Sequence, residues 1–121
     1  MRHERTLRWA YAGHPPALWL DEPSELVAPR QGTPLGLVDD PGYVEGWCRS
    51  ATAAGVLLYT DGLTEARHGK QFFGLDRVTA TLAKLRHRGP SDVVGILTAE
   101  VAEFAGERLR DDLWVLAARF E

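Results

Sequence analysis

The sequence predicts an α+β domain in which antiparallel strands build the sheet and two helices pack on one of its faces. Three observations carry that prediction. Gly55-Val56-Leu57-Leu58-Tyr59-Thr60 places apolar side chains on both alternating faces, as a strand buried on two sides does. Leu113-Trp114-Val115-Leu116-Ala117-Ala118-Arg119-Phe120 repeats that pattern at the end of the chain. Between them the apolar period lengthens: Leu75, Val78, Leu82 and Leu85 fall on one helical stripe, and Val93, Val94, Leu97, Val101 and Phe104 on another.

The remaining elements follow in chain order. Thr6 to Leu20 reads as a hairpin, a strand, a turn at Gly13-His14-Pro15-Pro16 and a second strand at Ala17-Leu18-Trp19-Leu20. Leu26 and Val27 suggest a short strand, and Tyr43 to Arg49 another. Asp61-Gly62 ends the first central strand as a turn. Gly89-Pro90 separates the two helices, with Gly89 or Ser91 as the cap of the second. Lys84, Arg86, His87 and Arg88 close the first helix, where cations suit the helix dipole, and read as a solvated end. The helices account for one face of the central strands, so the early strands or a partner must cover the other.

Composition narrows the function. With 121 residues, 45% of them hydrophobic, the chain is expected to form a single domain, 1–121, with a modest core. A net charge of −3, with the 14 Lys and Arg spread along the chain, argues against a nucleic-acid partner. The lone cysteine, Cys48, cannot close an internal disulfide, which suits a reduced, cytoplasmic setting. No apolar run approaches the roughly 20 residues of a membrane helix, so a soluble chain with no membrane partner is expected.

Chemistry concentrates at acidic strand ends. Asp61 lies just past the first central strand and Asp111-Asp112 just before the last. If these strands are antiparallel neighbours, the carboxylates meet at one rim, and oxygen donors without Cys or His beside them suit Mg²⁺ or Mn²⁺. Gly62 would let the backbone turn sharply beside an ion. The same residues also suit an ordinary turn and a polar strand start, the default use of Asp and Gly. His14 reads as a ligand, an acid or a turn residue; Glu65 and Arg67 as a phosphate contact, organisers of the rim or a solvated ion pair. Neither an activated nucleophile nor a glycine-rich phosphate loop is visible.

Taken in order, Ala12-Gly13-His14-Pro15-Pro16, Gly32-Thr33-Pro34-Leu35-Gly36-Leu37, Leu57-Leu58-Tyr59-Thr60-Asp61-Gly62-Leu63-Thr64-Glu65-Ala66-Arg67, Phe73-Gly74-Leu75-Asp76-Arg77 and Asp111-Asp112 resemble the motif series of the SpoIIE and RsbU-like metal-dependent phosphatases of the PPM family. The resemblance implies a partial PPM-type β-sandwich, the C-terminal half of the catalytic domain. It implies two Mg²⁺ or Mn²⁺ ions, with Asp61 and Asp111 as ligands and Asp112 beside the second, and hydrolysis of phosphoserine or phosphothreonine in a partner protein. Three departures stand out. No aspartate motif of the family's N-terminal half precedes Thr6, Tyr11 stands where Asn is usual, and Trp114 stands where a small hydroxyl residue is common.

Two functions are therefore expected to compete. One is a phosphatase acting on a phosphorylated regulatory protein, an anti-sigma-factor antagonist, once the rest of its domain is supplied. The other is a non-catalytic, phosphatase-like binding module that pairs through its open sheet face as a homodimer or with a regulatory protein.

Overall fold

The computed structural model describes residues 5–50, 55–106 and 112–120. The central sheet has three strands in the order β2-β4-β7: β2 Leu18–Trp19, β4 Gly55–Tyr59 and β7 Val115–Arg119, all antiparallel. In register, Tyr59 faces Val115 and Gly55 faces Arg119, so the C-terminal end of β4 meets the start of β7. A ribbon of β1 Arg5–Trp9 and β3 Gly46–Ser50 forms a separate sheet, and a hairpin of β5 Arg67–His68 and β6 Gln71–Phe72 follows the central strand.

The two helices fall where the 3.6 period placed them. Helix α2, Gly74–Lys84, buries Val78, Thr81 and Leu82; helix α3, Pro90–Ala105, buries Val93, Leu97, Val101 and Ala105. Gly89 is the N-cap of α3 with Pro90 in its first turn, where the missing N–H of proline costs nothing. Both helices pack with Leu57 and Tyr59 of β4 and Leu18 of β2 in the main core. Val115 and Ala117 of β7 lie against the same cluster.

The second sheet face is covered at one end only. Val56 and Trp19 pack with Leu7 and Trp9 of β1 around buried Tyr11, Ala17 and Leu26. Trp9 meets Trp19 edge-on at 6.0 Å, and its indole nitrogen donates to the Val27 carbonyl. Tyr11, the departure from the family pattern, is a structural post: its hydroxyl donates to the Leu26 carbonyl at 2.5 Å and accepts from the Ala17 N–H at 3.0 Å. Burial pushes the Tyr11 phenol above its ordinary value. Beyond this cluster the face is open. Leu58 and its cross-strand partner Leu116 are 37% and 54% exposed, and Trp114 is 70% exposed. The central strands are thus buried on one face and half-covered on the other, short of the two-sided burial their composition suggests.

Other expectations need correction. The hairpin expected over 6–20 does not form, because β1 pairs with β3 and β2 pairs with β4. Pro15 and Pro16 supply no N–H for a ladder, and Gly13, at φ +83°, turns the chain out of the ribbon. Leu26 and Val27 form no strand; Leu26 is held by a bond from its N–H to the Ala17 carbonyl, and Glu25 makes an isolated bridge to Leu18. The expected strand over 43–49 begins later, at Gly46.

The cationic end of α2 is also more than a solvated terminus. Arg119, at the end of β7, grips Asp21 with two bonds of 2.9 and 3.0 Å and donates from Nε to the Arg88 carbonyl at 2.6 Å. The His87 N–H donates to the same carboxylate. Hydrogen bonding from Arg119, more than any other cause, holds the Asp21 carboxyl below its ordinary range. The exit of β2, the end of β7 and the α2–α3 turn are locked together there.

Candidate metal centre

At the opposite end of the β4–β7 ladder, Asp61 opens a helical turn, α1 Asp61–Thr64, in place of the expected simple turn. The preceding residue, Thr60, decides how that turn meets β7. As an N-cap, a threonine hydroxyl would ordinarily accept from the first helical N–H groups, yet here it makes no cap bond. It donates to the Asp112 carbonyl at 3.0 Å and accepts from the Trp114 N–H at 3.1 Å, while the Thr60 N–H donates to the Trp114 carbonyl. One side chain therefore stitches the end of β4 to the segment that carries Asp112.

Gly62 completes the approach. A Cβ built at this position would stand 2.5 Å from the Asp112 carbonyl oxygen. Its φ lies outside the left-handed region, so glycine is required by the closeness of the neighbouring strand and not by an unusual dihedral. Asp61 and Asp112 are both exposed at this rim. Asp111 lies outside the described residues.

The other candidates divide. His14 comes to the rim: its ring lies 6.4 Å from that of Tyr59, and the two line a mostly apolar cleft of about 450 Å³ with Thr60, Trp114, Leu58, Val115 and Leu116. Its Nδ1 lies 2.5 Å from the Pro15 carbonyl, which can only accept, so that nitrogen carries a proton. Tyr59 is pushed up to about 12, chiefly by burial, and serves as core and cleft wall. Glu65 donates its N–H to the Asp61 carbonyl and keeps an exposed side chain. Arg67 makes no ion pair with Glu65; its guanidinium lies 4.8 Å from the centre of the Phe72 ring.

Carboxylate and carbonyl oxygens at a tight backbone crossing suit a hard divalent cation by donor type. Among the described residues, however, no group of three or more His, Cys, Asp or Glu side chains gathers closely enough to hold one. Asp61 and Asp112 alone are too few donors to hold such an ion. Sequence reasoning missed Thr60, whose part was visible only as a threonine directly before Asp61 and becomes legible once β7 is its neighbour.

Comparison with known proteins identifies the fold. The SiaA-PP2C domain of Pseudomonas aeruginosa superposes with a TM-score of 0.75 at 25% identity, over 97% of this chain and 47% of that one. The phosphatase domain of the cell-fate determinant SpoIIE from Bacillus subtilis, manganese-presoaked, gives a TM-score of 0.73 at 16% identity, over 98% of this chain and 52% of that one. The chain thus spans about half the length of each solved domain. A search of curated protein sequences gave no match. Residues 2–121 match the family described as stage II sporulation protein E, and the chain belongs to the SpoIIE family, whose fold is that of the PPM phosphatases.

Proposed function

We propose that this chain is part of a PPM-type phosphatase domain that removes phosphate from phosphoserine or phosphothreonine in a regulatory protein, an anti-sigma-factor antagonist, and that it acts only together with the rest of that domain. The observation that carries the proposal is the crossing at the rim, where Thr60 and Gly62, on either side of Asp61, meet the backbone carbonyl of Asp112 in a SpoIIE-family chain. Asp61, Asp111 and Asp112 would hold Mg²⁺ or Mn²⁺ there. Bound, such ions supply Lewis acidity and neutralise charge on phosphoryl oxygens. The chain's own part is to fix the carboxylates: the Thr60 hydroxyl sets the spacing of the two strand ends, and Gly62 allows it. His14, with its Nδ1 proton committed to Pro15, would face the cleft with Nε2 and orient a phosphate or water there. A lone Cys48 and the lack of any described helix long and apolar enough to cross a membrane are compatible with the cytoplasmic setting proposed for this reaction.

A direct test compares Mn²⁺-dependent release of phosphate from a phosphoserine peptide by the 121-residue chain and by a longer chain that includes the residues encoded in frame upstream of Met1. Turnover by the longer chain that Asp61→Asn abolishes is the expected result. No turnover by either, with no Mn²⁺ binding in calorimetry, would sink the enzyme reading.

A second reading has its own observation. Leu58, Leu116 and Trp114 leave an apolar strip on the second sheet face, which suits a non-catalytic module that pairs with a second copy. Light scattering decides it: a mass of one chain at high concentration excludes self-pairing.

A further inference from the structure

The β5–β6 hairpin is a cationic projection on an otherwise acidic chain. Residues 67–72, Arg-His-Gly-Lys-Gln-Phe, are all exposed, and the chain's net charge is −3. Among the described residues, Arg67, Lys70 and Arg77 have no carboxylate within ion-pairing distance, although the cations at the far end of the sheet do. The two arginines are nonetheless held in place. Arg67 lies on Phe72, its cross-strand partner. Arg77 reaches back from α2, donates to the Phe72 and Phe73 carbonyls at 2.9 and 3.0 Å, and covers the Phe104 ring at 4.6 Å. Neutral carbonyls and ring faces orient these guanidinium groups while leaving their charge uncompensated. The hairpin base closes through the Phe73 N–H to the Ala66 carbonyl at 2.7 Å, directly after the helical turn that begins with Asp61.

We propose that this hairpin, backed by Arg77, is the docking surface for an acidic stretch of protein chain flanking the phosphorylated residue of the substrate. The inference rests on the phosphatase reading and adds where the substrate's neighbouring residues go. Three cations, of which Arg67 and Arg77 are held in place, close in sequence to the exposed acids Glu65 and Asp76, are too few for the phosphate neutralisation that drives nucleic-acid binding. They match a short acidic peptide, for which half-exposed Phe72 offers an apolar contact.

The test is fluorescence anisotropy of the intact 121-residue chain with two labelled phosphoserine peptides, one carrying Glu at the flanking positions and the other Gln. The acidic peptide is expected to bind about tenfold tighter, and R67E/K70E is expected to abolish or reverse that preference. K70E alone, at the hairpin apex where the lysine supports no other described group, should remove part of it without disturbing the hairpin. Equal binding of the two peptides, no binding of the acidic one, or an unchanged preference in both variants overturns the proposal. Tighter binding of a single-stranded oligonucleotide or of anionic vesicles than of the acidic peptide overturns it as well. Hydrolysis and Mn²⁺ binding are not read in this assay, so its failure leaves the phosphatase reading standing, and failure of that reading is seen separately in metal binding and turnover.

Discussion

The two ends of the β4–β7 ladder are built on opposite principles. At the Gly55–Arg119 end, the buried charges are matched: Asp21 receives Arg119 and the His87 N–H, and Arg119 also satisfies the Arg88 carbonyl. At the Tyr59–Val115 end, the backbone is stitched as tightly, through Thr60 and Gly62, but the acidic side chains Asp61 and Asp112 are left in solvent. One end spends its charges on holding the fold, and the other holds its backbone by neutral bonds and keeps its charges uncommitted. That division is what a fold needs if one rim is to receive a cation or an anionic substrate without losing stability.

The largest effect is expected at the closed end. Arg119→Ala leaves the Asp21 carboxylate, 16% exposed in its side chain, without its bidentate partner, which should cost about 3 kcal/mol in urea unfolding at neutral pH. The pH dependence has a definite sign. Asp21 is depressed in the folded chain, so its contribution is present above the ordinary value of 3.8 and is lost as pH falls through the lower, folded value. Between neutral pH and about pH 3 the wild-type chain should therefore lose more stability than Arg119→Ala does. Equal losses in the two would show that the closed end is not held by this pair.

A smaller effect belongs to the rim. Gly62→Ala places a methyl group 2.5 Å from the Asp112 carbonyl oxygen, and relieving that clash should cost about 2 kcal/mol and push the two strand ends apart. Gly95→Ala, in an exposed part of α3 where a Cβ meets nothing within 4 Å, is the matched control and should stabilise by about 0.8 kcal/mol. Thermal unfolding of both variants reads the difference. Two losses of similar size would mean the rim crossing is looser than its geometry states.

Much of this division was legible in the sequence, for local reasons. Helices α2 and α3 announce themselves by period, and β4 and β7 by unbroken apolar runs, because burial on a regular element repeats along the chain. The antiparallel meeting of Asp61 with the Asp112 segment followed once those strands were taken as neighbours. What escaped depends on contacts between distant residues. The Asp21–Arg119 lock joins positions 98 apart, and neither residue sits in a pattern that names the other. Thr60 looks like an ordinary N-cap until β7 takes its hydroxyl. The ribbon of β1 with β3 was hidden because the nearest candidate partner for β1 in sequence was β2, and only the prolines between them hinted that a hairpin would not close.

The smallest effect tests the faces of the ladder instead of its ends. Leu116 and Leu97 are both leucines of well-formed elements, but Leu97 is fully buried beneath the sheet and Leu116 is 54% exposed on the opposite side. Leu116→Ser should cost the isolated chain about 1 kcal/mol, because less than half of the side chain is withdrawn from water there. If the longer chain that includes the residues encoded upstream of Met1 covers this face, the same substitution should cost about 2 kcal/mol there. Urea midpoints of the two chains, each with and without the substitution, supply the comparison. A large, concentration-dependent loss in the isolated chain would mean that a second copy already covers the strip, because stability that rises with protein concentration is the mark of association. A small loss in both chains would mean that the strip remains in solvent in the longer chain as well, and that neither a second copy nor the added residues cover it.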